Sequence, residues 1–243
     1  MNERSPPPAP ARTVLITGSS RGVGRSLCER FAARGDFVFG CSRSDSGALA
    51  HERYRHFVLD VSDETAVRAM FSAITATNPR LDLVINNAGV SAAQFALLTS
   101  AADFTAVVQA NLVGAFVVMR EAIRVMKRTR FGRIVNFSSI NVPLASAGAA
   151  SYNASKAGLE ALGETLSREC AADDITVNCI GLSLVRGAGM AERLTPGALA
   201  AKQQALIKPS LLDIEEVIHA IDFFAAPAAR NITAQTVYFG GIS

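Results

Sequence analysis

The chain has 243 residues, of which 49% are hydrophobic and 19% charged, and this balance excludes global disorder. A chain of this length can bury a full core without disulfides or metal. The net charge of +3 suits a small anionic ligand but is too small for a nucleic-acid-binding surface. No apolar run approaches the roughly 18 residues of a membrane span, and the N-terminus lacks the apolar stretch of a secretory signal. We therefore expect a soluble, cytoplasmic protein.

Short β-branched segments alternate with longer amphipathic segments along the chain. The seven predicted strands cover residues 13–17, 37–41, 56–59, 83–86, 133–137, 175–180 and 236–239. The predicted helices cover about 23–34, a stretch from 63 onward, 103–128, 151–171 and 213–225, with a polar excursion over 181–212. Apolar strands separated by helices indicate a parallel sheet covered on both faces. We predict an α/β, doubly wound, seven-stranded sheet (a Rossmann fold) with ligands at the carboxyl ends of the strands.

The domain organisation follows from the same pattern. Residues 1–12 form a proline-rich leader that is expected to be disordered. Residues 13–243 contain no linker and are predicted to form a single domain. The basic run 124–133 is expected to be a solvated helix end rather than a docking patch. Cys41 and Cys179 lie in apolar runs and none of the four cysteines approaches C-x-x-C spacing, so we expect buried thiols and no metal site.

A glycine-rich turn, Gly18-Ser19-Ser20-Arg21-Gly22-Val23-Gly24, joins the first strand to the first helix. Glycines at this junction let the backbone turn sharply and approach a phosphate, and the N-terminus of the helix favours an anion. The absence of a following Gly-Lys-Ser/Thr excludes a P-loop. The turn predicts the pyrophosphate site of a dinucleotide, with an ordinary tight turn as the alternative.

The end of the second strand indicates which dinucleotide binds. An NAD site normally has an Asp or Glu at this position, whereas this chain has Ser42-Arg43-Ser44 and no carboxylate before Asp45. The forked guanidinium groups of Arg43 and Arg21 match the oxygens of a 2′-phosphate, which a carboxylate would repel. We therefore predict NADP(H) rather than NAD(H). Two solvent-exposed arginines are the alternative.

Tyr152 and Lys156 are four residues apart on a predicted helix, so their side chains share one face. A nearby ammonium favours phenolate and reduces the roughly 4 kcal/mol that ionising a phenol costs at pH 7. Such a tyrosine can give a proton to an alkoxide or take one from an alcohol. Ser139, at the end of the fifth strand, is a candidate to hold the substrate oxygen, and Ser138 replaces it if the register shifts by one.

With these residues the sequence resembles the short-chain dehydrogenase/reductase family of the single-domain type, over about residues 12–243. The resemblance rests on the order and spacing of several motifs: the glycine turn, Asp60-Val61, Asn86-Asn87-Ala88-Gly89, Asn111, Ser139 and Tyr152-x-x-x-Lys156. Among relatives it is most similar to the 3-oxoacyl-(acyl-carrier-protein) reductases, through residues 132–135 and 152–158.

The resemblance implies a role for each matching position. Tyr152 would be the general acid/base, Lys156 would lower its pKa and bind the nicotinamide ribose, Ser139 would orient the carbonyl, and Asn111 would hold a water. Asp60 and Val61 would contact the adenine, Asn86 with the following Gly89 would shape the cofactor floor, and Val185 would bind the carboxamide through its backbone. The full set of expected cofactor contacts is Gly18, Ser20, Arg21, Gly22, Val23, Gly24, Arg43, Asp60, Val61, Asn86, Ala88, Gly89, Tyr152, Lys156 and Val185.

Two segments depart from the family pattern. Leu182-Ser183 stands where Pro-Gly is usual, with Gly187 in place of a common threonine, and a positive φ at position 183 would strain a serine. Residues 172–174 (Ala-Asp-Asp) replace a basic residue that suits an acidic carrier protein, although Arg128 and Arg130 remain available to one. In the excursion 181–212, an apolar set is expected to form the inner face of a lid or to pack as an ordinary helix: Met190, Leu194 and Leu199.

The resemblance implies NADPH-dependent reduction of a ketone to a secondary alcohol, with a 3-oxoacyl thioester or a free ketone as substrate. The alternatives are an NAD(P)-dependent alcohol or sugar dehydrogenase and a non-catalytic NADPH-binding subunit, which only the altered Leu182-Ser183 suggests. A homotetramer or dimer through the helices at 103–128 and 151–171 is also implied, and a heteromeric partner is an alternative. A small-residue face suits such pairing or packing within the chain: Ala154, Ala157, Gly158 and Ala161.

Overall fold

The computed structural model describes residues 11–45, 49–91, 93–189 and 191–242. The strands are β1 (Thr13–Thr17), β2 (Phe37–Ser42), β3 (Tyr54–Val58), β4 (Leu83–Asn86), β5 (Phe131–Ser139), β6 (Asp174–Leu182) and β7 (Thr236–Tyr238). The helices are α1 (Gly22–Ala33), α2 (Glu64–Thr77), α3 (Ala101–Val108), α4 (Gly114–Thr129), α5 (Asn141–Leu144), α6 (Ala150–Glu169), α7 (Pro196–Gln204) and α8 (Ile214–Ala225).

The seven strands form one sheet in the order β3-β2-β1-β4-β5-β6-β7, and all neighbouring pairs are parallel. The chain runs from β1 to one edge and then returns to β4 beside β1. A crevice opens at such a reversal, at the carboxyl ends of the strands. The predicted doubly wound α/β fold is therefore confirmed, and its topology places a ligand site at the ends of β1 and β4.

Two apolar cores cover the two faces of the sheet. Leu15 of β1 packs in the core formed with α2, α4 and α6, whereas its neighbours Val14 and Ile16 pack in the core formed with α1 and α8. This alternation is the period of two expected of a strand that is buried on both faces. The four cysteines are free and buried, as predicted.

The helix predicted at 103–128 is present over Ala101–Thr129 and contains a π-helical turn that the sequence did not predict. A π-helical turn, Gln109–Val113, separates α3 from α4. The stretch Ala101–Thr129 is long and apolar enough to cross a membrane by length and composition alone. Val118 and Met119, however, are fully buried in the core beneath the sheet, which is the packing of a core helix. The π turn matters for the site because it contains Asn111.

Two arginines lie in different surroundings from those predicted. Arg12, assigned to the leader, packs into the fold and pairs with Asp36, Nη2 to Oδ2 at 2.9 Å, while residues 1–10 lie outside the described residues. Arg133, assigned to a solvated helix end, is 1% exposed and donates to the carbonyl of Asp174 at 2.8 Å. The cause is that β5 begins at residue 131, so this part of the basic run is strand.

Candidate active site

The glycine turn lies between the end of β1 and the start of α1. Gly18 has a φ of +68°, and a Cβ there would lie 2.8 Å from the Cα of Ala88. A Cβ on Gly24 would lie 2.3 Å from the carbonyl oxygen of Gly18. No side chain fits at either position, so the backbone packs closely and leaves the N-terminus of α1 accessible to an anion. Arg21 is the N-cap residue of that helix.

Thr17 and Asn87 hold the turn in place; Asn87 belongs to the Asn86–Gly89 motif, but the sequence assigned neither residue a role. The Asn87 amide donates to the carbonyls of Thr17 at 2.8 Å and Gly18 at 3.1 Å. The Thr17 hydroxyl accepts from the backbone N–H of Asn87 at 3.1 Å and of Ala88 at 2.9 Å. The sequence did offer a signal for Asn87: it is an amide directly after β4. Because β4 is the neighbour of β1 in the sheet, a side chain at this position can reach the turn that follows β1.

A cleft with an empty volume of about 420 Å³ extends from the glycine turn across the ends of β2 and β4. Six of the predicted cofactor residues line it: Gly18, Arg43, Asp60, Val61, Ala88 and Gly89. Its remaining walls come from Cys41, Ser42, Leu59, Val90 and Ala110. The cleft therefore joins the glycine turn to Arg43, predicted at the 2′-phosphate, and to Asp60-Val61, predicted at the adenine.

Two arginines and one aspartate provide the charges at and beside the cleft. Arg21 and Arg43 are exposed, and across the described ranges neither forms an ion pair with a carboxylate. The pKa of Asp60 is held below its usual range because its carboxylate accepts the backbone N–H of Ser62 at 2.9 Å and the hydroxyl at 2.8 Å, with Arg43 adding to the effect. Arg43 and the ionised carboxylate of Asp60 thus line the cleft, and Arg21 lies exposed at the start of α1.

Asn86 lies beneath the cleft and is 3% exposed. Its amide donates to Oδ1 of Asn136 at 2.8 Å and so links β4 to β5. Its own Oδ1 is buried without a hydrogen-bond partner among the described residues. Asn86 therefore supports the floor from below, and any direct contact with a cofactor stays a prediction.

Asn111, Ser139, Tyr152 and Lys156 come together near the end of β5. From the π turn, the Asn111 amide donates to the carbonyl of Val90 at 2.9 Å and to the hydroxyl of Ser155 at 3.0 Å. Its Oδ1 accepts the N–H of Val90 at 2.7 Å. The side chain is fully buried and ties the loop after β4 to α6, and its predicted role in holding a water remains untested.

Lys156 is buried, and its Nζ donates to the carbonyl of Phe137 at 2.6 Å. The same nitrogen lies 5.8 Å from the centre of the Tyr152 ring. Burial lowers the pKa of Lys156 to about 8. Burial also raises the pKa of Tyr152, and a hydrogen bond with Ser139 opposes this only in part. Desolvation therefore dominates the pKa of Tyr152 in the chain alone, while the ammonium donates to the Phe137 carbonyl, and a lowering of the Tyr152 pKa by Lys156 stays a prediction.

The two candidate serines at the end of β5 have different partners. Ser139 accepts the N–H of Asn141 at 3.1 Å, and its hydroxyl lowers the pKa of Tyr152 against the effect of burial. Ser138 donates instead to the carboxylate of Glu160. The structure therefore associates Ser139, rather than the alternative Ser138, with the phenol.

The segment after β6 is unstrained where the sequence departs from the family. Ser183 is not among the described non-glycine residues with positive φ, so the predicted strain is absent, while Gly187 has a φ of +70°. The Ser183 hydroxyl is buried and lacks a partner within the described part of the chain. Val185 is buried and forms a parallel bridge with Leu212. In that bridge the backbone N–H of Arg186, and not that of Val185, donates to the carbonyl of Leu212.

The expected lid residues are only partly seen. Met190 lies outside the described residues, and Leu194 and Leu199 are half-buried. Leu199 belongs to α7, a helix in which no residue is fully buried. A lid therefore stays a prediction.

Comparison with known proteins identifies the family. The family described as short chain dehydrogenase matches residues 12–198. The 3-oxoacyl-(acyl-carrier-protein) reductase FabG of Escherichia coli (strain K12) is 29% identical over 235 residues, covering 95% of this chain and 96% of that protein. FabG of Rickettsia conorii is 32% identical over 235 residues, covering 95% of each.

The solved structures agree with this result. A crystal structure of a protein assigned as a gluconate dehydrogenase from Agrobacterium tumefaciens matches with a TM-score of 0.86 at 27% identity, covering 95% of this chain and 94% of that one. The match to the family extends over most of the chain and includes the cleft and the residues at the end of β5. The chain belongs to the short-chain dehydrogenase family, whose members are oxidoreductases that act on CH–OH or C=O groups with a nicotinamide cofactor.

Proposed function

We propose that this protein is an NADPH-dependent ketoreductase that converts a 3-oxoacyl thioester into the corresponding secondary alcohol. The observation that carries the proposal is the association of Ser139, Tyr152 and Lys156 at the end of β5. The relatives that are 3-oxoacyl-(acyl-carrier-protein) reductases support the substrate class.

The residues of the cleft fit a dinucleotide. The close approach of Gly24 to Gly18 leaves room for a pyrophosphate at the N-terminus of α1. Arg21 and Arg43, which have no acidic partner among the described residues, favour the additional phosphate of NADP(H). The residues proposed to hold the cofactor are Gly18, Ser20, Arg21, Gly22, Val23, Gly24, Arg43, Asp60, Val61, Ala88, Gly89, Tyr152, Lys156 and Val185, with Asn86 supporting the floor.

When bound, the reduced nicotinamide supplies a hydride to the carbonyl carbon. Tyr152 donates its phenolic proton to the carbonyl oxygen as negative charge develops there. Burial raises the pKa of Tyr152, so the phenol carries the proton that it gives to the carbonyl oxygen in this step. Ser139 holds the same oxygen through its hydroxyl, and the Lys156 ammonium stabilises the phenolate that remains.

A dehydrogenase running in the opposite direction is the second candidate, and the structural match to a protein assigned as a gluconate dehydrogenase favours it. One surface feature also weakens docking of an acidic carrier. Arg130 donates to the carbonyl of Ala172 at 3.0 Å and lies 3.6 Å from Oδ1 of Asp173, so its charge is partly compensated. Of the two arginines assigned to a carrier, Arg128 forms no ion pair of 4 Å or less among the described residues, and free or CoA-linked substrates are included in the test.

We further propose a cytoplasmic homodimer or homotetramer that forms through α3, α4 and α6. Within α3 only Val107 is buried, although the helix is largely apolar. Ala154, Ala157 and Ala161 are exposed on α6, whereas Gly158 packs against Leu112 in the same chain. Light scattering of the protein as it elutes from a size-exclusion column measures the molar mass and hence the number of chains in the assembly. A monomer contradicts this part of the proposal, and a stable mixed complex after isolation from cells supports the heteromeric alternative.

The substrate proposal is tested by following NADPH absorbance with a panel of 3-oxoacyl thioesters on carrier protein, CoA and N-acetylcysteamine, together with simple ketones, and by following NADP⁺ reduction with gluconate. We expect consumption of NADPH with at least one thioester and slower consumption of NADH. Oxidation of gluconate without reduction of any thioester would support the dehydrogenase instead. Because the chain has no tryptophan, NADPH fluorescence reports binding cleanly. Binding without turnover of any compound indicates the non-catalytic subunit.

A further inference from the structure

Glu160 lies one helical turn beyond Lys156 on α6 and belongs to none of the motifs discussed above. Its carboxylate accepts hydrogen bonds from Ser138 on β5 and from Tyr238 on β7, the latter from the phenol oxygen to Oε2 at 2.7 Å. The two strands flank β6 in the sheet. A half-buried carboxylate is thus held between the catalytic helix and two strands.

The site for this carboxylate includes a space that only glycine provides. A Cβ on Gly181 of β6 would lie 2.0 Å from Cδ1 of Tyr238, so the Tyr238 ring occupies the position of a missing side chain. In that position the Tyr238 hydroxyl reaches Glu160. The pair Gly181 and Tyr238 therefore fixes the carboxylate, and Ser138 fixes it from the other side.

The other groups around Lys156 carry no negative charge at neutral pH. On α6 itself, burial raises the pKa of Tyr152, and on β6 burial raises the pKa of Cys179 to about 12. On β7, burial and the adjacent carboxylate raise the pKa of Tyr238. The groups near Lys156 on strand β5 are hydroxyls and the Phe137 carbonyl, which are uncharged. Asn111 in the π turn is also neutral. Glu160 is thus the remaining anionic group one turn from Lys156 on α6; no ion pair of 4 Å or less joins the two among the described residues, and the carboxylate favours the ammonium through its nearby charge.

We infer that Glu160 is a positioning residue for Lys156: clamped by Ser138 and Tyr238, its carboxylate keeps the buried amine charged and anchors the end of β5 that presents Ser139. The effect on catalysis rests on the proposed function, because a charged Lys156 is needed to stabilise the Tyr152 phenolate. The effect on the charge of Lys156 does not depend on any substrate. The two effects can therefore be measured separately.

The charge is measured by NMR titration of the unliganded protein, labelled with ¹³C at lysine. The chain has only four lysines (Lys127, Lys156, Lys202 and Lys208), and of these only Lys156 is buried. We expect the midpoint of Lys156 to fall by about one pH unit in Glu160→Gln, a tenfold change in proton affinity, because a nearby charge favours the ammonium. Glu164→Gln, an exposed position one turn further on the same helix, is the matched control and is expected to leave the midpoint unchanged.

Catalysis is measured as the pH dependence of kcat. Reduction by the wild-type protein is expected to decline above about pH 8, where Lys156 loses its proton. In Glu160→Gln this decline should occur about one unit lower, in step with the NMR midpoint and with little change in the KM for NADPH. Glu164→Gln should follow the wild type.

An unchanged Lys156 midpoint in Glu160→Gln, or an equal fall in Glu164→Gln, would overturn the inference. If the Lys156 midpoint falls in Glu160→Gln but the pH dependence of kcat does not move, Glu160 does not position Lys156 for catalysis. If the protein reduces none of the compounds tested, the NMR result still decides the charge while the proposed function fails separately. Should Glu160→Gln not fold, Glu160→Asp takes its place. This variant keeps the charge but withdraws it from Lys156 by one methylene, so the Lys156 midpoint should fall. A midpoint equal to that of the wild type would contradict the account.

Discussion

At the end of the cleft near β1 and β2, the groups assigned to the cofactor are backbone atoms of tightly packed glycines and the exposed side chains of Arg21 and Arg43. At the end near β5 and α6, the assigned groups are side chains that are buried or half-buried, and Asn111 and Lys156 are hydrogen-bonded to neighbouring segments, with Lys156 only 4% exposed. An exposed guanidinium can be replaced at little cost in stability, whereas a buried amine affects both the folding free energy and the chemistry. The two ends should therefore respond differently to mutation.

The largest expected effect is at the buried end. Tyr152→Phe removes the proton donor and keeps the ring, so kcat for reduction should fall by about 10²–10⁴-fold. NADPH affinity, measured by fluorescence titration, should change little because the phenol oxygen contributes mainly to the reaction. Steady-state rates near those of the wild type would show that another group supplies the proton.

The exposed end should show a change in affinity without a change in stability. Arg43→Asp removes a charged partner of the 2′-phosphate and adds a repulsive one, so the Kd for NADPH should rise about 10–100-fold while the Kd for NADH changes little. Arg128→Asp, at an exposed position outside the cleft, is the matched control. Equal weakening of both cofactors by Arg43→Asp would leave Arg43 as an ordinary surface residue.

The smallest expected effect is a change in the free energy of unfolding when the buried Lys156 is replaced. Lys156→Met removes a buried ammonium and should raise the free energy of unfolding by about 1–3 kcal/mol at pH 7, although reduction becomes slower. Burial lowers the pKa of Lys156 to about 8 in the folded chain, below the roughly 10.4 of an exposed lysine. The unfolded chain therefore binds the extra proton, and wild-type stability rises with pH between these values.

The gain from Lys156→Met should consequently shrink when urea unfolding is repeated near pH 10. Lys127→Met, at an exposed position, should show neither effect. A Lys156→Met protein that is less stable than the wild type at pH 7 would mean that the bond to Phe137 outweighs the desolvation of the amine.

The sequence predicted the fold and the glycine turn because both follow from local patterns: alternating apolar segments, and glycines at the end of a strand. It did not predict the π turn that contains Asn111, which depends on contacts with Val90 and Ser155 from distant segments. The clamp on Glu160 was equally hidden, because Tyr238 is 78 residues away along the chain. The effect of burial on the Tyr152 pKa was hidden for the same reason, since spacing reveals a neighbouring amine but not the depth of burial.

The most direct test of the central claim is a crystal structure of the protein with NADP⁺ and the alcohol product of an accepted substrate. The account predicts that the alcohol oxygen lies within hydrogen-bonding distance of both the Tyr152 phenol and the Ser139 hydroxyl. A Tyr152 hydroxyl that points away from the product, or that is separated from the cofactor cleft by protein atoms, would contradict it.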